Sequence, residues 1–274
     1  MKKSTLLPFT FGSLIAITAT CLAFQTAHAT LLFSDAFNYS PGNLGGNVNP
    51  GSSTWSVAGS GLSIVSGDLT YSGLADQGGN ELQITNGSAT SSVITFANQT
   101  SGSIYYSFLF QPTVVDSGNT YFTALNPSTT APGGSGDALN AYYYSNGKIE
   151  VRGAAQSASA GTGAALTIGA TYLIVEEINL TTATASLWID PSSSTFGGTA
   201  PTATATLSGL TATSIDDVGF KAQTGTGTFL VDNLLIGTTW ADVTPIIPTP
   251  EPGTLTLLGM GAAISVGYFR RSRK

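Results

Sequence analysis

The chain has 274 residues, a formal net charge of −6 and only 9% charged residues. Residues 30–245 hold 14 acidic and three basic side chains, a formal charge of −11, and this excludes recognition of nucleic acid through its phosphates. The single histidine, His28, and the single cysteine, Cys21, both lie within the first 29 residues. The rest of the sequence therefore offers no Ser-His-Asp triad, cysteine nucleophile, disulfide bond or His/Cys zinc site.

The first 29 residues have the order of a secretory signal peptide. A basic start is followed by an apolar stretch and then by the small-x-small pattern at Ala27 and Ala29. We therefore expect signal peptidase to cleave after Ala29 and the domain at 30–245 to be exported. An uncleaved N-terminal anchor is the alternative, and the clean cleavage site argues against it.

Residues 30–245 contain eleven short runs rich in β-branched and aromatic residues, and they lack a sustained helical pattern. Gly, Asn, Ser and Pro separate the runs and favour turns between them. Their number and spacing predict an all-β fold, a β-sandwich of two antiparallel sheets. The predicted strands are 62–65, 81–85, 92–97, 104–111, 120–125, 139–144, 148–152, 172–180, 184–190, 215–221 and 228–236.

Local patterns within these runs predict side-chain orientation and turns. The large apolar residues at alternate positions of 104–110 are expected to share one buried face. Asn146-Gly147 predicts a type I′ turn, because both residues tolerate positive φ.

The C-terminal segment, 246–274, combines a Pro-rich spacer, an uncharged apolar run and a basic end. The apolar run 253–269 would form a helix about 26 Å long, marginal for a hydrocarbon core of ~30 Å. We expect a single transmembrane helix with its basic end in the cytoplasm. A buried or amphipathic terminal helix is the alternative.

The order of these features resembles the PEP-CTERM sorting domain of exopolysaccharide-producing Gram-negative bacteria. The resemblance implies recognition by an exosortase, which would cut near the Pro-Glu-Pro tripeptide and direct the protein to the cell surface or the extracellular matrix. Insertion of the helix into the inner membrane would then be transient. The residues that carry the resemblance are Pro250, Glu251, Pro252, Arg270, Arg271 and Arg273.

The segments 33–46, 172–191 and 229–245 resemble parts of the LamG-like, concanavalin A-like jelly roll. That family contains lectin-like and adhesion modules as well as some glycosidases. The resemblance implies a structural Ca²⁺ ion that ties the first strand to the last, with Asp35 and Asp232 as its candidate ligands. The alternative is that these two carboxylates cap turns or accept backbone hydrogen bonds.

A carbohydrate site would use aromatic rings that stack on sugars, flanked by hydrogen-bonding side chains. Tyr142 and Tyr144 share one face of their predicted strand, with Asp137 and Asn140 nearby. Trp188 lies on the polar side of its own strand, and we expect it to join this surface. The alternative is that these rings cover the sheet or fill the core.

A glycosidase needs two carboxylates at a defined separation. The E-x-D-x-x-E motif of laminarinases is absent, and the adjacent Glu176 and Glu177 must point to opposite faces of a strand. We expect one of them to face solvent and the other to be paired or to lie near a sheet edge.

These patterns together predict a non-enzymatic exported surface or extracellular-matrix protein that binds extracellular polysaccharide. A purely structural matrix component without a ligand is the alternative, and a glycoside hydrolase of the same fold is a less favoured one.

Overall fold

The computed structural model describes residues 31–247, apart from 57–58, 128–131, 133–135, 154–158 and 162. The predicted cleavage site at Ala27 and Ala29 lies outside the described residues, as do the predicted helix 253–269 and every sorting-signal residue from Pro250 to Arg273. Within the described part of the chain, no helix is long and apolar enough to cross a membrane.

The described residues form fifteen strands, one short α-helix and one turn of 3-10 helix at Ser193–Thr195. All eleven predicted strands are present, within three residues at each end. The strands are β1 (Leu31–Asp35), β2 (Gly42–Asn43), β3 (Leu62–Val65), β4 (Glu81–Thr85), β5 (Thr90–Gln99), β6 (Ser103–Val114), β7 (Thr120–Asn126), β8 (Leu139–Tyr143), β9 (Ile149–Arg152), β10 (Ala160–Gly161), β11 (Tyr172–Asn179), β12 (Thr184–Ile189), β13 (Ala205–Ser208), β14 (Ile215–Ala222) and β15 (Thr228–Gly237), and the helix is α1 (Trp240–Val243).

Two antiparallel sheets form a sandwich, which confirms the predicted fold class. The nine-stranded sheet has the order β13-β12-β11-β6-β15-β4-β3-β2, and β1 also pairs with β15. The six-stranded sheet has the order β10-β9-β8-β7-β14-β5. Neighbouring strands in both sheets are antiparallel, and some sequential pairs, such as β11 and β12, are joined by short connections.

The main core lies between the two sheets. The alternate apolar residues of β6, from Ile104 to Phe110, all have zero exposure and face this core, as predicted. A second apolar cluster lies on the outer face of the nine-stranded sheet, where α1 packs on β6 and β15. Leu109, Trp188 and Trp240 belong to this second cluster, so that face is covered rather than solvated.

The last strand, β15, exchanges partners along its length. Residues Thr228–Val231 pair with β4, whereas Leu234–Gly237 pair with β1. The exchange occurs at Asp232-Asn233, where the register with β6 shifts and Asn233 has a φ of 50°. This irregularity brings the first strand of the domain beside the last.

One predicted turn differs in type. Gly147 has a φ of 77°, but Asn146 does not have a positive φ, which a type I′ turn requires. Tyr144 accepts a hydrogen bond from the Gly147 N–H at 2.8 Å, and its own N–H donates to Lys148 at 2.9 Å. The hairpin is therefore a three-residue loop with glycine in the left-handed position.

The environment of the adjacent glutamates also differs from the prediction. Glu177 is half-buried and accepts a hydrogen bond from the Ser103 hydroxyl at 2.6 Å. Glu176 is neither paired nor near a sheet edge. It lies on a central strand with 1% exposure, and its Oε1 has no hydrogen-bond partner among the described residues. Alternate residues of β11 point inward, so Glu176 lies on the core side of the sheet between Ile174 and Ile178.

Candidate functional site: a tyrosine face on the six-stranded sheet

Three tyrosines form a connected aromatic surface on the outer side of the six-stranded sheet. The rings of Tyr121 and Tyr142 have centroids 5.5 Å apart at an interplanar angle of 65°. The ring centroids of Tyr142 and Tyr144 are 5.8 Å apart, with an interplanar angle of 35°. All three side chains are half-buried, so part of each ring is open to solvent. We call this surface, together with the Lys221 and Arg152 side chains beside it, the tyrosine face.

Strand register produces this arrangement. Tyr121 on β7 is directly opposite Tyr142 on β8, and their neighbours Phe122 and Tyr143 point into the core. Side chains of alternate strand residues lie on opposite faces, so Tyr142 and Tyr144 share the outer face while Tyr143 is buried.

Two cations border the aromatic rings. The Lys221 ammonium lies 5.0 Å from the centroid of the Tyr121 ring and donates a hydrogen bond of 2.8 Å to the Tyr121 hydroxyl. The Arg152 guanidinium carbon lies 5.9 Å from the centroid of the Tyr142 ring. Cations over ring faces are attracted by the ring quadrupole. Two of the three basic side chains of residues 30–245 thus lie on this one face.

The hydroxyl groups of Tyr142 and Tyr144 are neutral near pH 7. Burial raises the pKa of Tyr142, although Arg152 beside it opposes the shift. Burial and then Glu150 raise the pKa of Tyr144. Glu150 lies opposite Tyr142 on β9 and accepts a hydrogen bond of 2.5 Å from the Ser159 hydroxyl. The face therefore offers ring surfaces, phenolic donors, two cations and one carboxylate.

Asp137 and Asn140 lie near these rings but are buried. Asn140 opposes Arg152 in register and has 4% exposure, and Asp137 has 5%. Asp137 contributes to the raised pKa of Tyr142, which places the carboxylate near the face. Neither side chain is open to solvent in the way that the predicted flanking hydrogen-bonding role requires.

Trp188 does not join the tyrosine face. It belongs to β12 in the nine-stranded sheet, has 4% exposure, and packs against Trp240 at a centroid distance of 5.1 Å. Its indole N–H donates to the Pro201 carbonyl at 2.9 Å. Trp188 points to the outer side of its sheet, as the sequence pattern predicts, but the second apolar cluster covers that side. A cavity of about 490 Å³ beside the cluster is lined by Tyr105, Trp240 and Thr239 among others.

Asp35 and Asp232 lie on the adjacent strands β1 and β15, as the resemblance implied for first and last strands. Both Asp35 oxygens accept hydrogen bonds, from the Phe37 N–H at 2.8 Å, the Tyr39 hydroxyl at 2.6 Å and the Trp55 indole at 2.8 Å. The Asp232 oxygens accept from Leu69 N–H at 2.9 Å and from the next residue's N–H at 2.7 Å. Burial raises the pKa of Asp232 to about 8, against these two hydrogen bonds.

This donor set does not fit a calcium ion between Asp35 and Asp232. N–H and O–H donors already take the carboxylate oxygens that a hard cation would need. Within the described ranges, no group of three or more His, Cys, Asp or Glu side chains is arranged to hold a metal ion. The geometry matches the alternative, in which the two carboxylates accept hydrogen bonds from neighbouring segments.

Sequence patterns missed three members of the tyrosine face. Tyr121 was part of a predicted strand, and Lys221 and Arg152 were visible only as rare basic residues. Tyr121 and Lys221 are 100 residues apart in the chain and meet because β14 pairs with β7. The scarcity of basic residues in this acidic domain was the available signal. The position of Lys221 and Arg152 beside the rings depends on the strand order, which the sequence pattern does not give.

Comparison with known proteins identifies the C-terminal segment. Residues 248–274 match the PEP-CTERM protein-sorting motif. This chain carries that motif. It marks an exported protein directed to the cell surface and implies processing by an exosortase in the export pathway. No curated protein matches the sequence.

Solved structures superpose on this chain only loosely. A sialidase superposes with a TM-score of 0.47 and 11% identity over 78% of this chain and 19% of its own. The botulinum neurotoxin type G receptor binding domain superposes with a TM-score of 0.48 and 12% identity, over 79% of this chain and 49% of its own. Trypanosoma rangeli sialidase superposes with a TM-score of 0.39 and 11% identity, over 66% of this chain and 28% of its own. This chain thus spans less than half the length of each.

Proposed function

We propose that the protein is a non-enzymatic component of the bacterial surface or extracellular matrix that binds polysaccharide on its tyrosine face. After cleavage by signal peptidase, an exosortase processes the tail and releases the domain from a transient membrane stage. The observation that carries the binding proposal is the continuous row Tyr121–Tyr142–Tyr144, half-buried on the outer side of the six-stranded sheet. Such rings stack on the apolar faces of pyranose units.

The charge of the face favours a polysaccharide that carries carboxylates. Residues 30–245 have a formal charge of −11, yet Lys221 and Arg152 both lie beside the rings. A uronate-rich polymer would pair with these cations, whereas it would be repelled by most of the remaining surface. We therefore expect acidic polysaccharides to bind better than neutral ones, and binding to weaken as salt is added.

Polysaccharide retention tests this proposal. The full chain, purified in mild detergent, is mixed with insoluble acidic and neutral polysaccharides, and the bound fraction is measured. Tyr142→Ala should reduce retention about tenfold or more, because stacking loses its central ring. Tyr105→Ala is the matched control, since it removes a half-buried tyrosine from the other sheet.

The outcome separates the three functional hypotheses. Retention lost with Tyr105→Ala but kept with Tyr142→Ala would move the site to the cavity beside Trp240. No retention of any polysaccharide would favour the purely structural component. Release of reducing sugars during incubation would instead support the glycoside hydrolase.

A further inference from the structure

The chain contains two Asn-Gly dipeptides, Asn86-Gly87 and Asn146-Gly147, in opposite environments. In such a dipeptide the backbone nitrogen of glycine can attack the side-chain amide carbon of asparagine, because glycine has no Cβ to hinder the approach. Asn86 has 7% exposure, whereas Asn146 is exposed in the hairpin loop between β8 and β9. The local chemistry is the same at both positions, and only the fold around them differs.

Hydrogen bonds hold the side chain of Asn86 at both ends of its amide. Its Oδ1 accepts from the Gln223 N–H at 2.7 Å, and its Nδ2 donates to the buried Asp116 carboxylate. The Gly87 N–H donates to the Gln223 carbonyl at 2.7 Å. An attack by the Gly87 nitrogen would have to break these bonds where little water can replace them, so the fold protects Asn86.

The hairpin loop leaves Asn146 open to reaction. Its Oδ1 accepts a hydrogen bond of 3.1 Å from the Lys148 N–H, and its Nδ2 has no hydrogen-bond partner among the described residues. The Lys148 donor would stabilise the negative charge that develops on Oδ1 during an attack, as a donor in an oxyanion hole does. One bond opposes the step, because the Gly147 N–H donates to the Tyr144 carbonyl at 2.8 Å. Water can replace this single bond at an exposed loop.

We propose that Asn146 is a site of spontaneous deamidation, with water as the only co-reactant. The Gly147 nitrogen forms a bond to Cγ of Asn146 and loses its proton to solvent, while the bond from Cγ to Nδ2 breaks and ammonia leaves. Water then opens the resulting cyclic imide at either of its two carbonyl carbons. The products are aspartate and isoaspartate, each with a new negative charge at position 146.

Both products place a carboxylate near the tyrosine face. Tyr144 precedes Asn146 by two residues, and Tyr142 and Arg152 belong to the two strands that this hairpin joins. The added charge opposes the binding of an anionic polymer. Isoaspartate also lengthens the main chain by one carbon in a loop closed by hydrogen bonds between Tyr144 and Lys148. Deamidation should therefore lower the retention of acidic polysaccharide, and this consequence, unlike the modification itself, rests on the proposed function.

Timed incubation followed by peptide mass spectrometry tests the site. The full chain in mild detergent is held at pH 5 and at pH 8 and is then digested with chymotrypsin, which separates the two dipeptides because aromatic residues lie between them. We expect deamidation of the folded protein to be at least about tenfold faster at Asn146 than at Asn86, whose nucleophile and amide are held apart. It should be faster at pH 8, because the attacking nitrogen must lose its proton. In concentrated urea the two rates should converge.

Two variants at position 146 separate the reaction from its consequence. Asn146→Gln keeps a neutral amide but would need a larger ring for the same attack, so it should stay unmodified and keep its polysaccharide retention over the same period. Asn146→Asp carries the charge of one product from the start. It should retain acidic polysaccharide several-fold less than the freshly purified parent and neutral polysaccharide equally well.

Three results would overturn the proposal. These are an unmodified Asn146 in the folded protein, equal rates at Asn146 and Asn86 before urea is added, or deamidation confined to Asn86. Retention measured in parallel keeps this proposal distinct from the proposed function. Deamidation at Asn146 with unchanged retention supports the modification and contradicts only its effect on the tyrosine face. Deamidation at Asn146 in a protein that retains no polysaccharide supports the modification and contradicts the proposed function.

Discussion

Glu176 and Tyr106 face each other across β11 and β6, inside the core between the sheets. The Tyr106 hydroxyl shares a hydrogen bond of 2.5 Å with the Thr123 hydroxyl, and Glu176 Oε1 lacks any partner in the described ranges. Burial raises the pKa of Glu176 to about 8. Burial, and then Glu176, raise the pKa of Tyr106 well above its ordinary value. Both groups are therefore neutral at pH 7.

Glu176→Gln should flatten the pH dependence of stability. Between about pH 4.5 and 8 the folded protein holds a proton on Glu176 that the unfolded chain releases, so stability falls as pH rises. The variant removes this loss, and we expect it to be more stable than the parent by roughly 1 to 3 kcal/mol at pH 8.5. Urea unfolding at pH 5 and 8.5 measures the change in stability with pH, the slope, for the parent and for the variant. Glu177→Gln, at the half-buried neighbour, is the matched control, and equal slopes in the parent and in Glu176→Gln would contradict this account.

Trp188→Ala should destabilise the fold without affecting polysaccharide retention. The indole contacts Trp240 and Tyr105 and donates to Pro201, all on the covered side of the nine-stranded sheet. Removing a buried aromatic ring costs about 3 to 5 kcal/mol. Chemical unfolding gives the loss, and retention measured well below the new Tm gives the binding. A variant with unchanged stability and lost retention would return Trp188 to the binding surface.

Gly219→Ala should be destabilising because Pro132 occupies the space of the new methyl group. Overpacking of this kind costs about 1 to 3 kcal/mol. Gly118→Ala is the control, since nothing lies within 4 Å of its added Cβ and its φ is not positive. We expect the control to stay within about 0.5 kcal/mol of the parent in urea unfolding. Equal effects at both glycines would argue against close approach of Pro132.

Tyr39→Phe should weaken the anchoring of the first strand. The substitution keeps the ring and removes the 2.6 Å hydrogen bond to Asp35. Loss of a hydrogen bond to a carboxylate costs about 1.5 to 3 kcal/mol of stability. We expect a loss near the lower value, because the Trp55 and Phe37 donors to Asp35 remain. Hydrogen exchange at the amides of β1 should report faster opening. Unchanged exchange there would show that Asp35 does not anchor the strand through this hydroxyl.

Replacing Pro250, Glu251 and Pro252 with alanine should block processing of the tail. These residues lie in the segment that matches the sorting motif. The parent protein, recovered from the surface of an exosortase-containing host, should lack residues downstream of the motif by intact mass spectrometry. The variant should retain them and stay with the membrane fraction. A shortened variant would show that the tripeptide is not required.

The strands and their buried faces were predictable because a strand repeats every two residues. Alternation alone assigned every second residue from Ile104 to Phe110 to the core between the sheets. Periodicity did not identify the short strands β1, β2, β10 and β13, although the family resemblance implied a first strand at Asp35. The Asn146-Gly147 turn was placed correctly but assigned the wrong type, because the dipeptide does not specify loop length.

The candidate sites were harder to predict because they combine distant segments. Tyr142 and Tyr144 were identified from spacing, yet Tyr121 and Lys221 join them only through the pairing of β7 with β8 and β14. Outside these sites, the buried Asp217 lies opposite Asn126 for the same reason, because β14 pairs with β7. Periodicity reports the face on which a side chain lies, but it does not report which strand is adjacent or what covers that face.

By itself, the sequence determined the all-β class, the sorting motif and the absence of Cys and His chemistry after residue 29. These properties depend on composition and on short local patterns. The tertiary structure decided that Trp188 is covered, that the tyrosines form one face, and that Asp217 is fully buried. The physical reason is that burial and cross-strand contact depend on strand order, which arises from packing the whole chain at once.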